Sequence, residues 1–148
     1  MDSVTSFLAA SWPHVRDLVV AYALALVIGW NRERAARSAG LRTFPLVAVA
    51  SCGFMLSVEG LSAHDNEAAA RVLTGVATGI GFIGAGAIMK GGDEVHGMAT
   101  AAAIWATGAI GAAVALGAYH IAVAIAVFTA GTLYLLTPLK PGAPNEGA

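Results

Sequence analysis

Residues able to do chemistry are few, and they gather where apolar stretches end. The densest group is Asn31-Arg32-Glu33-Arg34, followed across a short polar segment by Arg42 and Thr43. Arginines at the end of a membrane helix ordinarily reach out to the interface and anchor it. Glu33 fits that account less well. An acid among four arginines (Arg32, Arg34, Arg37 and Arg42) is more naturally an ion-pair partner or a ligand. A second set consists of His64, Asp65 and Glu67 in one loop and Asp93, Glu94 and His96 in another. Oxygen-rich clusters suit a hard cation such as magnesium, which keeps several of its waters. Short loops between apolar helices are also polar for solvation alone, so this signal is weak.

Within the apolar stretches, the hydroxyls of Thr74, Thr78, Thr100 and Thr107 are expected to bond back to their own helices. Trp105 falls near the middle of an apolar run, away from the interface that tryptophan prefers, and is expected to fill a gap in a bundle. Cys52 has no second cysteine to pair with and reads as a small buried packing residue. There is no phosphate loop, no nucleophile elbow, no CxxC pair and no HExxH. An enzyme is therefore not expected, and no resident cofactor is called for. A ladder of Asp or Glu through the apolar stretches, which a cation path would need, is also missing. A basic nucleic-acid footprint is absent as well.

The elements that must carry these residues are membrane helices. Of 148 residues, 57% are hydrophobic and 11% charged. Soluble domains carry about a quarter charged residues. The mean hydropathy of +0.73 points the same way. Residues 72–89, between Arg71 and Lys90, carry no charge and would cross a hydrocarbon core of roughly 30 Å at ~1.5 Å per residue. This stretch holds Gly75, Gly79, Gly81, Gly84 and Gly86. In lipid such a helix persists, and its bare backbone becomes a packing surface. It is expected to be the central helix, approached closely by the others, although a break at 79–86 is the alternative such glycine runs allow.

The remaining expected spans are Val15 to Trp30, Phe44 to Leu61 with Thr43 as its cap, Met98 to Leu116, and Tyr119 to Leu136. Small residues recur one turn apart at Ala21, Ala25 and Gly29; at Ala99, Ala103, Thr107, Gly111 and Ala115; and at Ala122, Ala126 and Ala130. The expected architecture is an all-α bundle of five transmembrane helices. Residues 1–14 form an outer segment and 138–148 a disordered tail. Arg32, Arg34, Arg37, Arg42, Lys90 and Lys140 fall on one side, and Arg16 and Arg71 on the other. The basic excess marks the cytoplasmic face, giving an N-out, C-in topology. Trp12 and Tyr119 then fall at the outer interface, Trp30 and Tyr134 at the inner one.

Three ordered pieces carry a resemblance: residues 28–50, IGWNRERAARSAGLRTFPLVAVA; residues 71–92, RVLTGVATGIGFIGAGAIMKGG; and residues 95–119, VHGMATAAAIWATGAIGAAVALGAY. Together they resemble the MgtC/SapB family of bacterial inner-membrane proteins over about Leu18 to Leu136. The family pattern Gly-Leu-Glu-Arg-Glu stands here as Gly29-Trp30-Asn31-Arg32-Glu33, so Asn31 replaces the first acid. Ala39 to Thr43 and Ile104 to Thr107 keep their family patterns, while Ala99 stands beside Thr100 where a threonine is common. The chain ends soon after the last helix, as in the short SapB-like branch that lacks an ACT-like domain. The resemblance implies adaptation to low magnesium and, for some members, virulence through restraint of an F-type ATP synthase. The function expected from it is modulation through membrane-protein partners, a second copy included. Transport of magnesium or another small solute, with magnesium as cargo or regulator, is the alternative. The candidate residues are Asn31, Arg32, Glu33, Arg42, Thr43, Gly79, Gly81, Gly84, Gly86, Thr100, Trp105 and Thr107.

Overall fold

A computed structural model of the chain describes residues 2–35, 39–59, 66–91 and 94–136. Arg37, His64, Asp65, Asp93, Lys140 and the tail from residue 137 lie outside the described residues. Among the described residues, five helices and one small hairpin follow in order: α1 Asp2–Arg34, α2 Thr43–Leu56, α3 Asn66–Ala85, β1 Met89–Gly91, β2 Glu94–His96, α4 Met98–Ala115 and α5 Tyr119–Leu135.

The expected first helix is part of a longer one. α1 starts at Asp2, so residues 2–14 extend the span as helix, with Pro13 inside it. Proline lacks the N–H that would reach the Ala9 carbonyl, which costs the helix one rung without ending it. α2 stops at Leu56, five residues before the expected Leu61. Its cap position is Arg42, with Thr43 already the first helical residue, and no side chain caps it. The polar turn after α3 folds into an antiparallel hairpin in which Lys90 faces Val95. Gly97 closes that hairpin at φ +89°, and a Cβ there would collide with the Ala87 carbonyl. Only glycine meets both demands.

The helix at the centre is α4, not α3. It packs against α1, α2, α3 and α5. Ala103, Thr107 and Gly111 of its small-residue row are buried, while Ala99 at one end is exposed. Gly111 lies against the backbone of α2, where an added Cβ would collide with the Ala48 carbonyl. Gly108 accommodates the Ile80 side chain from α3 in the same way. The other rows also face inward: Ala21, Ala25 and Gly29 of α1, and Ala122 and Ala126 of α5. At the far end of α4, Gly117 takes φ +70°, and the N–H groups of Gly117 and Ala118 bond to the carbonyls of Val114 and Ala113. That is a Schellman turn, which reverses the chain into α5 through the three residues Leu116, Gly117 and Ala118.

α3 is peripheral. It runs unbroken through Gly75, Gly79, Gly81 and Gly84 and ends at Ala85, short of the expected end at Lys90 and inside the 79–86 stretch named as the alternative break. Nothing lies within 4 Å of where a Cβ would stand at Gly75, Gly79 or Gly81. Of the α3 glycines, only Gly84 makes a close approach: a Cβ added there would stand 3.1 Å from the Ala101 carbonyl oxygen of α4. Glycine density suggests centrality, but glycine also leaves a face open.

Large apolar side chains cover the outside, Phe82 (83% exposed) and Phe128 (77%) among them. In water this surface would be an aggregation hazard; in lipid it is ordinary. Among the described residues, three helices are long and apolar enough to cross a membrane: Ala9–Arg34, Glu67–Ala85 and Met98–Ala115. Helices α2 and α5 are apolar but shorter.

Candidate functional site

Polar groups collect at the two ends of the bundle. At the arginine-rich end, α1 delivers Asn31, Arg32 and Glu33 on consecutive positions, and each does something different. Arg32 turns inward and is only 3% exposed. Its Nε donates to Asn31 Oδ1 at 3.0 Å, and Nη2 donates to the same oxygen. Glu33 turns back over the following loop, where its Oε2 accepts the Leu41 N–H at 3.0 Å. Gly40 lies directly beneath it, leaving no room for a Cβ beside the carboxylate. Gly29, one turn back on α1, makes the same loop possible from below: a Cβ added there would stand 3.3 Å from the Gly40 carbonyl oxygen. Glu33 is thus a brace between the end of α1 and the start of α2. Among the described residues no cation pairs with it. Arg34 lies over the Trp30 ring at 4.8 Å, and Arg42 is exposed.

Arg32 opens onto a pocket of about 360 Å³ bounded by the hairpin, the first turn of α4 and the last turns of α5. Thr100, buried on α4, and His96 of the hairpin share this pocket.

The opposite end holds a cluster that sequence reading passed over. Asp17 on α1 is 7% exposed. Its Oδ1 accepts from the Tyr119 hydroxyl at 2.6 Å and from Arg16 Nε at 2.9 Å. Arg16 Nη2 in turn donates to the Tyr119 oxygen at 2.7 Å. The ring of three groups ties α1 to the first residue of α5. His14 and Glu59 stand beside it with Nδ1 and Oε2 3.7 Å apart, and a pocket of about 420 Å³ opens between them. The available signal was an acid at the start of an apolar run, next to an arginine.

The other expected residues are dispersed. Thr107 donates to the Ala103 carbonyl at 2.8 Å, and Thr74 and Thr78 bond back to Ala70 and Thr74. The back-bonding expectation holds for these three. Trp105 does not fill the interior; it is 55% exposed and lines a shallow groove with Leu73 and Ala77 of α3. Cys52 is buried, as expected. No group of three or more His, Cys, Asp or Glu able to hold a metal occurs among the described residues.

Fold and sites define an all-helical membrane protein with small-residue packing and polar ends. The MgtC family model matches residues 18–141, and the chain belongs to that family. It is 40% identical to Protein SrpB of Synechococcus elongatus over 78% of this chain and 70% of that protein. It is 37% identical to Protein MgtC of Salmonella typhimurium over 78% of this chain, and 38% identical to Protein MgtC of Brucella abortus over 82%. The chain spans about half the length of both MgtC relatives. No solved structure matches it.

Proposed function

We propose that this protein serves adaptation to magnesium supply by associating with other membrane proteins, and that it does not conduct ions itself. The observation that carries the proposal is the open face of α3. Gly75 and Gly79 line an apolar cleft of about 480 Å³ against Val47, Ser51 and Phe54 of α2. Bare backbone of this kind lets another transmembrane helix approach closely, which drives association in lipid where a hydrophobic force between helices is missing.

Conduction is disfavoured by what separates the two polar ends. On α1, Asp17 and Arg32 are about 22 Å apart at ~1.5 Å per residue. The buried face between them is Ala21, Ala25 and Ile28, with no group to relay an ion. In this reading α2 and α5 also cross the inner membrane of a bacterium, the arginine-rich end is cytoplasmic, and an F-type ATP synthase or a second copy is a candidate partner.

Purification from native membranes tests the proposal. The wild-type chain should bring a membrane protein with it, and Gly79→Leu should lose that companion. Magnesium flux in liposomes holding the pure protein, abolished by Glu33→Gln, would overturn it.

A further inference from the structure

The uncharged part of the bundle is short for a membrane. It covers residues 18–31 of α1, 43–56 of α2, 72–85 of α3 and 121–135 of α5, about 21–23 Å in each at ~1.5 Å per residue. α4, uncharged from end to end, is about 27 Å long. Tilt only lowers the thickness a helix covers, so these lengths are upper bounds to set against a hydrocarbon core of roughly 30 Å.

The polar groups at the ends do not make up the difference by stretching outward. Buried Asp17 receives the Tyr119 hydroxyl and Arg16 Nε on the same oxygen, which holds α1 and α5 at one level. Arg16 is exposed, yet it would have to give up that bond to reach a more distant headgroup. Arg32, at the other end, turns inward. The aromatic residues repeat the spacing. Exposed Tyr134 stands about 22 Å along α5 from Tyr119, and exposed Trp12 about 27 Å along α1 from exposed Trp30, where interfacial belts are expected.

We infer that the lipid surface this protein fits is a bilayer with about 24 Å of hydrocarbon, and that it thins a thicker membrane around itself. The inference rests on the reading that α2 and α5 cross the membrane, and it explains how helices of their length do so. It makes no use of the open face of α3.

Reconstitution of the full chain into vesicles of phosphatidylcholine with monounsaturated chains of fourteen, eighteen or twenty-two carbons tests this. The midpoint of thermal unfolding should be highest in the fourteen-carbon lipid and fall with each step in length. Arg16→Leu combined with Asp17→Asn removes the outer charged level and should move the optimum to the eighteen-carbon lipid. A change that only loosens packing would lower every midpoint without moving the optimum. The wild-type series decides even if that double variant does not fold. Midpoints indifferent to chain length, a wild-type optimum at eighteen or twenty-two carbons, or a folded double variant that keeps the wild-type optimum would overturn the inference. Maleimide labelling of Arg42→Cys and Ser57→Cys in sealed vesicles separates this from the crossing itself, because both positions are exposed and the native Cys52 is buried. Labelling from opposite sides is expected. Labelling from the same side would overturn the crossing of α2 and the inference with it.

Discussion

Gly111 of α4 and Ala48 of α2 meet backbone to backbone: where a Cβ would stand on Gly111, the Ala48 carbonyl already is. The Cys52 amide nitrogen is 3.0 Å from the same point. Gly111→Leu should therefore force α2 off α4. Over-packing of this kind costs about 1–3 kcal/mol or more, and the midpoint of thermal unfolding in detergent should fall accordingly. Gly81→Leu, at a position with nothing within 4 Å, should leave the midpoint near wild type. Two glycines of similar appearance in sequence separate cleanly in this comparison.

Tyr119→Phe removes the hydroxyl that both donates to Asp17 and accepts from Arg16. Asp17 keeps Arg16, so the loss should be modest, about 1 kcal/mol. Asp17→Ala should cost more, because it strips both donors of their shared acceptor. Thermal unfolding of the two variants in the same detergent checks the order.

Glu33→Gln keeps an oxygen that can accept the Leu41 N–H, so the brace should survive and stability should change by less than ~0.5 kcal/mol. Glu33→Ala should loosen the segment between α1 and α2 and speed its cleavage by protease. If both variants behave alike, the carboxylate acts through its charge and not as a brace.

Gly97→Ala should disrupt the turn from hairpin to α4, since it must accept both a left-handed φ and a collision with Ala87. Faster hydrogen exchange at residues 89–96, with the α2–α4 contact unaffected, is the expected signature.

Much of the scaffold was legible because lipid imposes simple rules. The alanine and glycine rows of α1, α4 and α5 face inward as their one-turn spacing requires, and helix starts at Met98 and Tyr119 fall where expected. What failed was inference from composition to neighbours. Glycine content made α3 look central, yet a bare face can pack or remain open, and only tertiary contacts distinguish the two. Trp105 was misplaced because depth along a helix says nothing about which side of it faces lipid. Asp17 escaped notice because its partner, Tyr119, stands far along the chain. The roles of Arg32 and Glu33 diverged for a local reason: consecutive helical residues point about 100° apart, so neighbours in one motif face different surroundings.

The account depends most on the open face of α3 being occupied by protein in the native membrane. Phe54 looks into that cleft from α2 and is exposed, so a photoreactive phenylalanine fits there with little disturbance. Irradiation of native membranes should give a discrete protein–protein adduct that disappears when Gly79→Leu is added. An uncross-linked chain, or an adduct indifferent to Gly79→Leu, would contradict the account.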